Sequence, residues 1–133
     1  MKTAFIAFAL LLGSAAQAAS CGWVSDFDIA PRARDLYEAK IISIDGQPPG
    51  TSLQRKYRVS PGRHEVVVAE RIEKPDLGLN ARFRRDRHHT LIVDVQPNQR
   101  YFIAAKFKQE SRLDTRGGYW EPQVWQARSA PCR

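Results

Sequence analysis

Long apolar segments are scarce in this chain of 133 residues. The apolar run at residues 5–12 has far fewer than the about 20 residues that a helix needs to cross a bilayer. The sequence therefore predicts no transmembrane segment. A long amphipathic stretch is missing too, and only residues 32–40, with Pro31 near their start, are expected to form a helical turn or two.

The common catalytic motifs are also absent. The chain contains no G-x-S-x-G, no H-E-x-x-H, no P-loop and no glycine-rich dinucleotide fingerprint. Asp26 and Asp28 are close in sequence, but their position near a terminus is more typical of a solvated segment than of a catalytic pair. These absences predict a protein that is not an enzyme and uses no cofactor.

Histidines are few, and their spacing does not favour a metal site. His88 and His89 are adjacent, so on a strand they face opposite sides and cannot readily ligate one ion. His64 follows a turn, and we expect it to bond to a turn carbonyl or to pack beside Tyr57. The sequence therefore predicts no metal ligands.

The first eighteen residues are typical of a secretory signal peptide. Lys2 supplies the positive charge, the apolar run follows, and Ala16-Gln17-Ala18 provides an A-x-A cleavage pattern. Cleavage there would leave residues 19–133 as a single domain, periplasmic or secreted. The alternative is a weak lipobox at residues 18–21, which would place the protein on a membrane through a lipid at Cys21.

Only two cysteines are present, Cys21 and Cys132, near opposite ends of the chain. Two cysteines in an exported protein most often pair, because the compartment is oxidising. We therefore expect a disulfide between them. The competing hypothesis is a lipidated Cys21 with Cys132 left free.

Period-two alternation of apolar residues is the dominant pattern in the rest of the chain, and it predicts strands. Alternating segments lie at residues 56–60, 91–96 and 101–108, and Val66-Val67-Val68 is typical of a buried strand. Residues 39–44 form a further strand whose parity changes at Ile41-Ile42, which indicates a bulge. Residues 119–126 form the last strand, in which Pro122 requires an edge or a bulge.

Turn residues separate these strands and predict an all-β fold. Ser60-Pro61-Gly62 is short enough for a hairpin, and Gln96-Pro97-Asn98-Gln99 forms another turn. Six to seven short strands indicate a small antiparallel β-sandwich or a small barrel. The predicted core consists of Ile41, Ile44, Tyr57, Val59, Val66, Val68, Leu91, Val93, Ile103 and Trp120.

One string has a more specific pattern than the others. Residues 57–68 resemble the Y-x-L-x-P-G-x-H-x-V-x-V signature of PEGA-like domains and related small bacterial envelope proteins. Three further blocks occur in the same order as in the family: Ile44-Asp45-Gly46, the segment from Leu91 to Ile103, and the closing residues 120–125. Asn98 stands where the family usually has glycine. The resemblance implies a transthyretin-like or immunoglobulin-like β-sandwich, which is usually an accessory or binding unit of the cell envelope.

The chain is basic, with a formal net charge of +7. Its densest charge is at residues 82–89, where the candidate anion-binding residues are Arg82, Arg84, Arg85, Arg87, His88 and His89. The alternative is a solvated loop or edge whose charges discourage aggregation. A second candidate surface contains Tyr119, Trp120 and Trp125, which could stack on sugars but more often pack in a core.

These patterns predict an exported, non-enzymatic envelope or binding module. Its expected partner is an anionic envelope polymer, lipopolysaccharide or peptidoglycan, or an envelope protein. Nucleic acid is not expected as a partner, because export takes the protein out of the cytoplasm. A secreted inhibitor or effector that acts on a target protein is the alternative.

Overall fold

The chain forms two β-sheets in a sandwich-like arrangement, as seen in a computed structural model that describes residues 20–27, 30–72, 88–114 and 116–132. The predicted signal peptide lies outside the described residues. The strands are β1 (Gly22–Ser25), β2 (Leu36–Tyr37), β3 (Ala39–Ile44), β4 (Lys56–Val59), β5 (Gly62–Glu70), β6 (His88–Val95), β7 (Gln99–Phe107) and β8 (Trp120–Ser129). Two short 3-10 helices cover Arg32–Arg34 and Gln109–Ser111.

The larger sheet is built around β7. Strand β8 pairs antiparallel along the whole of β7, so β1 and β2 share its other edge. Strand β1 runs parallel to β7, and β4 pairs antiparallel with β1 on the outside. The smaller sheet has the order β3-β5-β6, with both pairs antiparallel. The expected all-β class and the two-layer form are therefore confirmed. The expectation of a wholly antiparallel sandwich is wrong, because β1 and β7 run parallel.

The expectation of a hairpin at Ser60-Pro61-Gly62 is wrong. Strand β4 pairs with β1 in the larger sheet, whereas β5 pairs with β3 and β6 in the smaller one. The turn therefore carries the chain from one sheet to the other, and Gly62 has a φ of 122° that favours glycine. The Pro97-Asn98 turn also connects the two sheets, and Asn98 adopts a left-handed φ of 58°. Local turn chemistry is compatible with both a hairpin and a crossover, because the sheet partner is decided by distant residues.

The described residues form eight strands, rather than the six to seven predicted. The additional strands, β1 and β2, are short and buried throughout, so they lack alternation between apolar and polar residues. The expected helical turns at residues 32–40 are reduced to one 3-10 turn followed by β2.

The predicted core is confirmed in detail. One buried cluster contains Ile41, Val59, Val66, Val68, Val93, Ile103 and Trp120, and Ile44, Tyr57 and Leu91 pack against it while partly buried. The bulge in β3 is present, because the pairing with β5 shifts between Ile41 and Ser43. Pro122 lies on β8, an edge strand, as the missing N–H requires.

The disulfide between Cys21 and Cys132 is present, with Cα atoms 5.7 Å apart. Asn98 joins the two cysteine segments, since its N–H donates to the Cys21 carbonyl (2.7 Å) and its carbonyl accepts from the Ala130 N–H (2.9 Å). The bridged sulfur of Cys21 is not a free thiol, so the bridged alternative is favoured over a lipidated one. A structural disulfide is consistent with an extracytoplasmic location. In the part of the chain that the structure describes, no helix is long and apolar enough to cross a membrane.

Candidate functional site

The predicted anion-binding segment is only partly visible. Its four arginines, Arg82, Arg84, Arg85 and Arg87, lie outside the described residues. The two histidines begin β6 and face opposite sides of it, as the sequence predicts: His88 is exposed, and His89 pairs with core residue Val68. The six-residue anion site therefore stays a prediction.

His89 packs against the β7–β8 connection. Its Nε2 lies 2.7 Å from the Gly117 carbonyl oxygen, and its ring contacts the Trp120 ring edge-on at 4.6 Å between centroids. A nitrogen that donates to a carbonyl is not directed at a ligand. His89 consequently has a packing role in this arrangement.

The aromatic residues of β8 also pack within the protein. Tyr119 and Trp120 are fully buried, and the Tyr119 hydroxyl donates to the buried carboxylate of Glu70 at 2.9 Å. Trp125 is partly buried, lies at a bulge in β8, and covers the small cluster of Ala30, Leu36 and Ala104. None of these three rings forms an open platform for a sugar.

His64 has the structural role expected of it. Its Nε2 bonds to the Ser60 carbonyl oxygen (2.6 Å), and its Nδ1 lies 2.5 Å from Asp45 Oδ2. Burial lowers the pKa of His64, but the hydrogen bonds to Asp45 and to the Ser60 carbonyl outweigh it, and the net pKa is raised. The same hydrogen bond, together with the Glu65 N–H, lowers the pKa of Asp45.

This pair predicts a pH-dependent stability. The stabilisation from His64 is complete below its ordinary pKa of 6.5 and is lost as pH rises through the raised value. The stabilisation from Asp45 is present above its ordinary pKa of 3.8 and is lost as pH falls through the lowered value. We expect Asp45→Asn to destabilise the protein more at about pH 5 than at about pH 8, where a smaller fraction of His64 is charged.

Urea unfolding of the wild type and of Asp45→Asn at both pH values measures this difference. Asn tolerates the left-handed backbone at position 45, where φ is 51°, so the substitution changes charge with little backbone strain. An equal loss of stability at both pH values would show that the charge on His64 contributes nothing.

The expectation that Asp26 belongs to a solvated segment is wrong, while Asp28 lies outside the described residues. Asp26 is 3% exposed, its Oδ2 accepts the Ile41 N–H at 2.8 Å, and its Oδ1 lies 3.3 Å from Arg55 Nε. Burial raises the pKa of Asp26, although the Ile41 N–H and the Arg55 charge oppose that rise. The carboxylate connects β1, β3 and the segment before β4, so its role is structural.

A surface that the sequence did not predict lies on the outer side of the larger sheet. Four residues are directly paired across four neighbouring strands: Arg58 on β4, Trp23 on β1, Arg100 on β7 and Arg128 on β8. Because paired residues project from the same face of a sheet, these side chains form one row. At about 4.8 Å between strands, the row is about 15 Å long.

A second row lies beside the first. It is formed by residues two positions away along each strand, which project from the same face. It contains Lys56, Ser25, Phe102 and Gln126, again in direct register. We call the surface formed by both rows the cationic face. No acidic residue occurs in either row. In the first row, Arg100 on β7 is directly opposite Arg128 on β8. Like charges at directly opposed positions of two strands are normally unfavourable.

Aromatic rings lie directly beneath these cations. The Lys56 ammonium is 4.6 Å from the centroid of the Trp23 ring, and the Arg100 and Arg128 guanidinium carbons lie 4.5 and 5.3 Å from the Phe102 ring. Phe102 is 3% exposed and Trp23 is 9% exposed. The cations cover the rings and are held in place by them, which lowers the entropy that they lose on binding a ligand.

Hydrogen bonds further orient Arg100. Its Nη2 donates to Ser25 Oγ at 2.9 Å and to the Gln54 carbonyl oxygen at 3.3 Å. Arg58 and Arg128, at the two ends of the row, are exposed. A guanidinium group has a planar set of donors that matches phosphate and carboxylate oxygens. The cationic face is thus suited to bind an anion.

Sequence reasoning missed this face because its members are far apart in the chain. Strand β4 contributes two cations, β7 and β8 contribute one each and β1 contributes none, so no strand stands out as a charge cluster. Alternation in β7 does separate Arg100 and Phe102 from the core-facing Tyr101 and Ile103. Only the register between strands places them beside Trp23, Arg58 and Arg128.

The described residues contain no group of three or more His, Cys, Asp or Glu side chains that could hold a metal ion. Comparisons of the chain with protein-family models, curated proteins and solved structures found no match.

Proposed function

We propose that this protein is an exported, non-enzymatic binding module of the cell envelope that recognises an anionic envelope component, lipopolysaccharide or peptidoglycan, through the cationic face. The observation that carries the proposal is the row of Arg58, Trp23, Arg100 and Arg128 in direct register across four strands. The composition of the two rows, which include four cations and no acidic residue, supports it.

The scaffold suits recognition rather than chemistry. The cations are carried on paired strands, which keep their spacing, and the charged groups of Lys56 and Arg100 lie over buried rings. An anion over the row would lie near cations from several neighbouring strands at once, so their Coulomb attractions would add. The predicted arginine segment at residues 82–87 lies outside the described residues, and its part in binding stays a prediction.

The finer classification is part of the same proposal. The ordered blocks that resemble PEGA-like domains, together with two sheets and four sheet-to-sheet crossovers among the described strands, support a transthyretin-like or immunoglobulin-like sandwich. Domains of that kind are usually accessory units of the envelope, which agrees with a binding role.

A charge-matched pair of variants tests the function. We expect Arg58→Gln with Arg128→Gln to weaken binding to lipopolysaccharide or peptidoglycan about 30-fold, at about 1 kcal/mol for each charge lost near an anionic surface. The control is Arg63→Gln with Arg71→Gln, which removes the same net charge. Both control residues are exposed, and Arg63 lies on the outer face of the smaller sheet. Sedimentation with purified polymer at several salt concentrations measures both variants.

Equal weakening in the two double variants would mean that net charge, and not this face, determines binding. Binding of the wild type that does not weaken with added salt would also contradict the proposal, because ionic contacts are screened. A salt-insensitive one-to-one complex with an envelope protein would instead support the inhibitor or effector alternative.

A further inference from the structure

A turn with an unusual composition borders the cationic face. Residues 52–55 form a β-turn closed by the Arg55 N–H donating to the Ser52 carbonyl at 3.2 Å, and Ser52 Oγ accepts the Lys56 N–H at 3.3 Å. Leu53 is at the tip of this turn, and its side chain is fully exposed (101%). Such positions usually carry Gly, Pro, Asn, Asp or Ser, so Leu53 is not explained by the turn itself.

The turn is attached to the cationic face by direct contacts. The Gln54 carbonyl, next to Leu53, accepts from Arg100 Nη2, and Lys56, which follows the turn, lies over the Trp23 ring. Leu53 therefore projects at the border of the arginine row.

A second exposed apolar side chain lies at the same border. Phe27 is 50% exposed and directly follows the buried Asp26 at the end of β1. The Arg55 guanidinium carbon lies 5.5 Å from the centroid of the Phe27 ring, and Arg55 Nη2 donates to the Asp26 carbonyl at 3.1 Å. Arg55 thus connects the Leu53 turn to Phe27.

Cations beside exposed apolar side chains distinguish between two kinds of anionic ligand. A dissolved polyanion would use the arginines and would gain nothing from Leu53 or Phe27. A lipid bilayer offers phosphates to the arginines and, just below them, an acyl region that takes up apolar side chains. Basic residues near a bilayer are also attracted by the negative surface potential of anionic lipids.

We propose that the cationic face docks on the phosphate-bearing surface of an anionic lipid bilayer, with Leu53 and Phe27 entering the boundary between headgroups and acyl chains. This inference rests on the proposed anion-binding function and names the ligand class of the same face. The protein approaches the bilayer with its larger sheet facing the lipid, and the smaller sheet faces away.

Two exposed leucines provide a matched test. Leu113, which is 85% exposed, occupies a turn closed by the Asp114 N–H and the Ser111 carbonyl at 2.9 Å. That turn comes after Lys108, beyond the end of β7. Lys108 is six residues after Phe102, which corresponds to about 20 Å along an extended strand. Leu113→Ser is consequently the control for Leu53→Ser, with the same change in chemistry at a site away from the face.

The disulfide-bonded chain is tested against vesicles of phosphatidylcholine, vesicles that also contain phosphatidylglycerol, and dextran sulfate as a dissolved polyanion. We expect the wild type to bind the anionic vesicles and dextran sulfate but not the neutral vesicles. Leu53→Ser is expected to weaken vesicle binding about tenfold and to leave dextran sulfate binding unchanged. Leu113→Ser is expected to change neither.

Each other outcome has a distinct meaning. Two results would overturn the bilayer inference and leave the proposed function in place. In the first, the wild type binds dextran sulfate but not anionic vesicles. In the second, it binds both, and Leu53→Ser binds the vesicles as well as the wild type does. If the wild type binds neither the anionic vesicles nor dextran sulfate, both the bilayer inference and the proposed function are overturned. Unfolding midpoints of the two leucine variants, expected to equal that of the wild type, exclude misfolding as the cause of a loss.

Discussion

Removing the Cys21–Cys132 disulfide is expected to lower the free energy of unfolding by about 4–5 kcal/mol. The two cysteines are 111 residues apart in sequence, so the bridge closes a loop that includes nearly all of the described chain. In the loop-entropy account, a cross-link of that span removes about this much free energy from the unfolded state. A domain of this size typically has about 5–15 kcal/mol in total, so the loss would bring the protein near the limit of folding.

The double variant Cys21→Ser with Cys132→Ser, unfolded in urea, measures the effect without a reductant. The wild type in reductant is the companion sample, and the two should have similar midpoints. The contacts of Asn98 with both cysteine segments do not depend on the sulfur atoms. A variant that differs from the wild type by less than about 1 kcal/mol would show that these contacts, rather than the covalent bridge, hold the two termini together.

The second large effect is expected for Trp120→Ala, at about 4 kcal/mol. Trp120 is 1% exposed, belongs to the main core cluster and contacts the ring of His89. Replacing it leaves a cavity that rigid paired strands cannot close, so the loss of burial and the loss of packing add together. The expected loss is therefore near the upper end for a single substitution.

Trp125→Ala is the matched control, because it makes the same chemical change on the same strand. Trp125 is only partly buried and covers the small cluster on the other side of β7, so about half the effect is expected. Urea unfolding of both variants, followed by circular dichroism, gives the comparison. Equal losses would mean that the cover over Ala30, Leu36 and Ala104 contributes as much to stability as the main core.

Local sequence patterns predicted the parts of the fold that depend on neighbouring residues. The alternation in β7 correctly separates the core-facing Ile103 and Phe107 from Phe102 and Ala104 on the other face. The parity change at Ile41-Ile42 correctly indicates the bulge in β3. Both patterns are local consequences of a strand that buries one face or packs in a bulged pair.

The same reasoning failed where a local pattern has two physical solutions. Ser60-Pro61-Gly62 permits either a hairpin or a crossover, and the choice depends on β1, which pairs with β4 from more than thirty residues away. Asp26 is in a short polar segment that resembles a solvated terminus. It becomes buried because β3 supplies the Ile41 N–H and Arg55 supplies a countercharge.

By itself, the sequence determined the all-β class, the residues of the core, the pairing of the two cysteines and the local role of His64 beside its turn. Each depends on hydrophobic periodicity, on turn chemistry or on the presence of only two thiols. The tertiary structure decided which strands are neighbours and hence which outward side chains meet. Arg58, Trp23, Arg100 and Arg128 come from four segments of the chain, and only the register between strands places them in one row, because hydrogen bonding across a sheet joins residues without regard to their separation in sequence.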